Sequence, residues 1–437
     1  MVAISPLQIA FAQDASVNDS APVSEQRPAP LWLAALVLLP FGLGYFLSYL
    51  FRAVNAVVAP DLMAELKLSA SDLGLLTAAY LLSFSLFQLP LGILLDRYGP
   101  RRVQAVLVGV AAMGAVAFGV ARDLGTLTLA RALIGIGFAG ALMGGFKAVV
   151  IWVAPERRAL FNALVMSLGA LGLLVSTAPM EWAVARYGWR AVFVAFSVIT
   201  AGVAVLIYVA VPERGQRIAP EPLKAQIRSV GEIFSDRAFL ALAPFLATTA
   251  GTQIAIQTLW AGLWFRDVAN YSRGQVAEAL FVMALAFFVG VLASGAIADW
   301  FRRRGVSELT VMLGFLIAFL ASQVLIIADI AGLRLFAWSV FGMTGQVAVL
   351  AYPWLSQHFG AARAGRANTA MNLILFVTAF LVQALIGAVL DQFVRTASGA
   401  YPAVAYQVAF GIFLALQFGA LAIYLLNRTR FTAPSPR

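Results

Sequence analysis

Two cations stand where a chain of this composition has least room for them. Arg52 interrupts the apolar run Phe46-Leu47-Ser48-Tyr49-Leu50-Phe51-Arg52-Ala53-Val54-Asn55-Ala56-Val57-Val58, and Lys147 interrupts Gly144-Gly145-Phe146-Lys147-Ala148-Val149-Val150. A charge at the centre of a bilayer costs roughly 2.5–3.5 kcal/mol even on insertion scales, so such residues face a bundle interior or a wet cavity. No Asp or Glu sits near the middle of a comparable run. Cations without carboxylates predict an anionic guest. Tyr45, Tyr49 and Arg52 fall at i, i+4 and i+7, on one face of a helix. A guanidinium flanked by phenols suits a carboxylate or phosphate, which it grips with two parallel hydrogen bonds. The competing reading of Arg52 is pairing with backbone carbonyls or snorkelling to the surface. From its depth, Lys147 either receives the substrate on the inner side or snorkels.

The elements that carry these residues are membrane spans. The chain has 437 residues, is 62% hydrophobic and has a mean hydropathy of +0.89, and apolar runs of about 20 residues recur along it. With zero cysteines, thiolate metal sites, disulfides and cysteine nucleophiles are excluded, and the single histidine, His358, leaves little for metal or acid–base chemistry. No cofactor and no enzyme activity are expected. The net charge of +10 sits in short turns between apolar runs, which points to retention in a lipid bilayer and away from nucleic acid.

Hydropathy predicts an all-α membrane protein of twelve transmembrane helices, at about 31–62, 72–95, 102–121, 126–153, 161–182, 190–211, 238–265, 275–298, 307–329, 333–356, 367–391 and 402–426. Residues 1–30 read as a disordered cytoplasmic tail rather than a signal peptide, 212–237 as a cytoplasmic central loop and 428–437 as a second cytoplasmic tail. Between them lie an N-terminal six-helix bundle, 31–211, and a C-terminal one, 238–427. On the expected inner side the turns and tails carry nineteen Lys and Arg, against eight on the outer side. Both termini are therefore expected in the cytoplasm.

The halves repeat. Gly92-Ile93-Leu94-Leu95-Asp96-Arg97-Tyr98-Gly99-Pro100-Arg101-Arg102 closes the second predicted span, and Gly295 through Asp299, Arg302, Arg303 and Arg304 closes the eighth. Gly92 through Arg102 resembles the loop signature of the major facilitator superfamily, with Asp299, Arg302 and Arg303 in a degenerate second copy. Arg131, followed by Gly135 and Gly137, resembles the superfamily's fourth-helix pattern. The resemblance covers residues 31–427. It implies two pseudo-symmetric six-helix bundles around a central cavity, alternating access, and a gating or conformational role for Gly92, Asp96, Arg97, Gly99, Arg101, Arg102, Arg131, Asp299, Arg302 and Arg303.

The stretch around Arg52 also resembles helix 1 of the organophosphate:phosphate antiporter and anion:cation symporter branches, in which an Arg contacts the anionic substrate. This chain departs from both. Phe51 stands where the symporters often carry an acid, Phe138-Ala139-Gly140 where they carry another, and Leu259-Trp260 where the antiporters have a second Arg. The resemblance thus implies substrate contacts from Arg52, Tyr45, Tyr49, Asn55 and Lys147 in the first half, and from Gln253, Gln257 and Trp260 in the second. The expectation is a monomeric secondary transporter of the bacterial inner membrane for a small organic anion or zwitterion, with H+ or Na+ as the coupling ion. Efflux of drugs or hydrophobic metabolites is the alternative.

Overall fold

The computed structural model describes residues 31–154, 157–212, 231–345 and 350–427. The two expected tails and most of the expected central loop lie outside them. Among the described residues the chain is all-helical, with ten helices long and apolar enough to cross a membrane, or eleven if one bent pair counts as a single span. Large apolar side chains such as Val106, Val198 and Val209 are exposed by 67–69%. An outward-facing apolar surface of this kind belongs against lipid.

The first half begins with α1 (Leu31–Ala53) and α2 (Asn55–Leu66). The sequence reads them as one rod; the structure interrupts it at Val54, two residues after Arg52. Segment α3 (Ala70–Val120) holds the second and third expected spans, two helices that meet at a kink where Gly99, at φ +76°, leaves the helical conformation. A side chain at that φ would be strained, so glycine is required there. Helices α4 (Leu124–Phe138) and α5 (Ala141–Trp152) form the broken fourth span. Helices α6 (Arg158–Val175) and α7 (Ala178–Tyr187) meet at a 46° bend at Ser176–Thr177, next to Pro179. Helix α8 (Trp189–Ala210) completes the half.

In the second half, α9 (Arg237–Ala255) passes through a π-helical turn, Ile256–Trp260, into α10 (Ala261–Asp267). Then follow α11 (Arg273–Arg302), α12 (Glu308–Ala328), α13 (Arg334–Thr344), α14 (Ala351–Phe359), α15 (Ala361–Leu390) and α16 (Ala403–Leu426). Of the tenth expected span the described residues include α13 and α14, and residues 346–349 lie outside them.

Without a hydrophobic force between helices in lipid, small residues decide where they meet. A Cβ on Gly172 of α6 would lie 2.0 Å from the Phe46 carbonyl oxygen of α1, and one on Gly290 of α11 would lie 2.0 Å from that of Met343 in α13.

The two halves are tied at one end of the bundle. Arg273 of α11 grips Asp61 of α2 with both terminal nitrogens, at 2.8 and 2.7 Å, and its Nε donates to Glu181 of α7. The Asp391 carboxylate, after α15, accepts from the backbone N–H groups of Ala70 (3.1 Å) and Ser71 (2.7 Å), so an acid from one half caps the positive end of α3 in the other. Backbones touch there too: a Cβ on Gly262 would meet the Ala56 carbonyl at 2.5 Å, and one on Gly387 the Ala70 carbonyl at 2.5 Å.

These contacts make a stability prediction. Gly172→Ala must push α6 off α1, at about 1–3 kcal/mol for an overpacked site; the expected outcome is a lower melting temperature in detergent, whereas Gly92→Ala, whose Cβ meets nothing within 4 Å, leaves it unchanged.

Candidate functional site

A cavity of about 240 Å³ lies between the halves, with Arg52 at one end. Tyr45, Tyr49, Arg52 and Gln88 line it from the first half, and Gln253, Tyr352, Asn368 and Asn372 from the second. Arg52 is the one charged residue among the described residues of the lining. Leu142, Met143, Phe146 and Met166 make one wall apolar. The cavity thus has a cationic head, an amide side and a greasy side.

Arg52 is held by rings rather than by acids. Its guanidinium carbon lies 4.7 Å from the centre of the Tyr49 ring, 5.2 Å from Phe84, 5.0 Å from Phe376 and 5.9 Å from Tyr80. Each desolvated cation–π contact of this type is worth about 2 kcal/mol or less, enough together to offset much of the burial cost. The residue is 6% exposed and its Nε has no hydrogen-bond partner. Among the described residues no carboxylate pairs with it. A buried donor left unmade is costly and invites a ligand acceptor.

Local structure explains this placement. The helix-1 rod breaks at Val54, and Arg131 of α4 donates from a terminal nitrogen to the Phe51 carbonyl at 2.7 Å. A fully buried guanidinium therefore anchors the backbone one residue before Arg52. Tyr80 is shared: its ring lies 5.5 Å from the Arg131 guanidinium, and its hydroxyl donates to the Ser48 carbonyl at 3.2 Å. Gly169 leaves room for the Tyr45 ring, which meets Tyr49 edge-on at 5.1 Å.

The expected substrate residues separate into two groups. The structure brings Arg52, Tyr45, Tyr49 and Gln253 together on the main cavity, and Gln253 donates to Gln257 one turn along the π-helical segment. Gln257 lines a small void beside Arg52, and its Nε2 is buried without a partner. A π turn shifts the helical register and redirects side chains, often at functional sites. The other three residues stand apart in this conformation. Asn55 donates to Thr77 at 2.8 Å, inside the first half. Trp260 is fully buried and donates to the Gln383 carbonyl at 3.2 Å. Lys147 donates to the Leu95 carbonyl at 2.8 Å and to Asp96 at 2.5 Å, outside the lining.

The loop-signature residues gather at the end opposite the tie. Asp96 takes its cation from Lys147 of its own half, not from across the seam. Arg101 donates to the Tyr208 carbonyl at 2.8 Å, Arg97 lies over Tyr98 at 5.3 Å, and Arg302 pairs with Asp299 at 2.8 Å. Gly92, Arg102 and Arg303 lie in the same two segments, Arg303 as the residue that ends α11.

Sequence reasoning could not assign Gln88, Tyr352, Asn368 and Asn372 to the cavity, because a polar residue within a span either lines a cavity or ties helices together. It missed Phe84 and Phe376, since a phenylalanine in an apolar helix carries no signal of what its face touches.

Comparison with known proteins gives these features a family. The model of the Major Facilitator Superfamily matches residues 41–383. The chain is 27% identical over 292 residues to the hexuronate transporter of Escherichia coli K12, 24% over 275 residues to the probable sulfoacetate transporter SauU of Cupriavidus necator, and 25% over 279 residues to the uncharacterized transporter YybO of Bacillus subtilis. These matches cover 62%, 60% and 59% of this chain, and only 66%, 64% and 63% of those relatives' lengths. The fold is shared with a bacterial homologue of the human lysosomal transporter Spinster in an inward-facing, unoccupied conformation, at TM-score 0.70 and 18% identity over 94% of this chain and 100% of that one. It is shared too with a mutant of the nucleoside transporter NupG, at TM-score 0.71 and 13% identity over 89% of this chain and 100% of that one. Fold and relatives are those of transporters, not of enzymes. The chain is a multi-pass membrane protein of the major facilitator superfamily.

Proposed function

We propose that the protein is a secondary active transporter, working by alternating access, that moves a small organic anion or zwitterion across a bacterial inner membrane. The observation that carries this reading is Arg52: a buried guanidinium, boxed by rings, with an unused donor at the head of the central cavity. A carboxylate or phosphate edge completes its hydrogen bonds, while Gln253, Asn368 and Asn372 address polar groups on the remainder. Because the described lining holds a single charge, a monoanion fits better than a dianion. The apolar wall favours a ring or aliphatic face over a fully hydroxylated body.

In this reading α13 and α14 belong to one span and the bent α6–α7 pair is another, giving twelve with both termini in the cytoplasm. The tied end is then the outer one, and the structure is an inward-facing state of a monomer. Asp96, with Lys147, and the Arg97–Arg102 segment form the inner gate, and Arg131 holds the break that presents Arg52. The apolar wall of Leu142, Met143, Phe146 and Met166 also supports a second reading, export of hydrophobic compounds. Resistance profiling of an overexpressing strain separates the two.

Two measurements test the assignment. In proteoliposomes, Arg52→Gln is expected to lower uptake of a carboxylate substrate by roughly 10- to 100-fold, the loss of one charged hydrogen-bonded contact of about 1.5–3 kcal/mol; uptake equal to the parent's sinks the anion reading. In thermal-shift titrations with the same anion, Lys147→Met should keep the parent's ligand-induced rise, because its side chain lies on Asp96 and not on the cavity. A rise lost in Lys147→Met returns Lys147 to the binding site.

A further inference from the structure

The chain lacks the acids that would seat a coupling proton beside Arg52, yet two acids sit at the tied end in an unbalanced cluster. Arg273 crosses from the second half and carries one positive charge; Asp61 and Glu181, both from the first half, face it with two negative ones. Asp61 takes the guanidinium fork with both oxygens, a balanced pair. Glu181 has only the Nε bond, so its charge is the one in excess. The other charged or titratable groups facing this place are Arg266, already paired with Asp267 at 2.6 Å, and Tyr271. The Glu181 side chain is 12% exposed.

Glu181, Arg266 and Arg273 border a second cavity, of about 110 Å³. Between it and the central cavity lie two voids of about 10 Å³ each, room for about one water apiece. Consecutive members of this series share walls: Arg52 and Gln253 link the central cavity to the first void, Ala53 and Gln257 link the two voids, and Ala56 and Leu280 link the second void to the outer cavity. Ser176 and Thr177, at the bend just before Glu181, line the second void. A line of small, mostly apolar voids, bordered by Gln257, Ser176 and Thr177, thus runs from the acid that locks the halves to the arginine that awaits the anion.

We propose that Glu181 is the coupling-proton site, and that protonating it loosens the Arg273 tie so that the tied end opens. The proton comes from water on that side and forms an O–H bond on the carboxylate; the hub passes from one excess negative charge to none, and the charge-assisted bond to Arg273 Nε is lost. One proton taken up with one monoanion makes the loaded carrier's net charge equal to that of the empty one. The inference rests on the transport reading but not on the identity of the anion.

The test uses the proton alone, without substrate, so its outcome is independent of Arg52. The chain has no cysteine, and Tyr187 and Val394, exposed by 62% and 90%, mark the tied end in each half. Spin labels on Tyr187→Cys/Val394→Cys in nanodiscs are expected to show a longer-distance population that grows several-fold between mildly alkaline and mildly acidic pH. Glu181→Gln should show the acidic distribution at both, and Glu181→Asp should keep the response with a displaced midpoint. A parent that does not respond to pH, a Glu181→Gln chain that responds like the parent, or one that stays shut throughout overturns the proposal.

Discussion

A guanidinium buried without a counter-ion is the constraint around which the first half is arranged. Burying Arg52 takes a charge out of water, and no acid among the described residues repays that cost. Rings do so in part: Tyr49, Phe84 and Phe376 sit against the cation, and a second buried arginine, Arg131, secures the backbone that presents it. Two cations near one tyrosine would repel, so the arrangement is at its most comfortable with an anion present. The head of the cavity therefore carries one positive charge that the described lining does not match.

Charge is distributed along the molecule according to task. In the membrane core it is scarce and of one sign. Toward the tied end, by contrast, carboxylates meet cations repeatedly: Arg273 with Asp61 and Glu181, Arg190 with Glu65, Arg334 with Asp329, Arg266 with Asp267. Such pairs are individually weak where solvent reaches them. Their joint effect is geometric, since the Arg273 cluster and the Asp391 cap must both let go before that end can separate. At the opposite end the ion pairs of Asp96 and Asp299 stay within their own halves, so neither acid fastens one bundle to the other. The two ends of the molecule are thus fastened unequally.

Backbone irregularity marks where helices do more than span. Val54 interrupts helix 1 two residues after Arg52, the π turn Ile256–Trp260 carries Gln257, and the Ser176–Thr177 bend precedes Glu181. Irregular backbone at membrane depth survives only where protein or a wet cavity satisfies the freed groups. Each of these three sites meets that condition, through Arg131, through the Thr258 hydroxyl donating to the Ile254 carbonyl at 2.7 Å, and through hydroxyl bonds from Ser176 and Thr177 to the Leu173 and Leu174 carbonyls.

Much of this was legible in the residues themselves. Hydropathy fixes how much chain lies in lipid, because transfer free energy adds residue by residue along a helix; the repeated Asp–Arg loop gives the duplication; and Arg52 stands out because a lone charge in an apolar run is expensive wherever the helix packs. What composition could not supply is which faces meet. Lys147 and Arg52 look alike in sequence, yet one lies on Asp96 from the same bundle and the other on aromatic rings drawn from both halves. Trp260 and Gln257 are three residues apart, and a single π turn decides which borders the path and which is packed against Gly74. Phe376 and Glu181 acquire meaning only from neighbours more than ninety residues away in the chain, contacts that exist once the two bundles have docked and that no local pattern encodes.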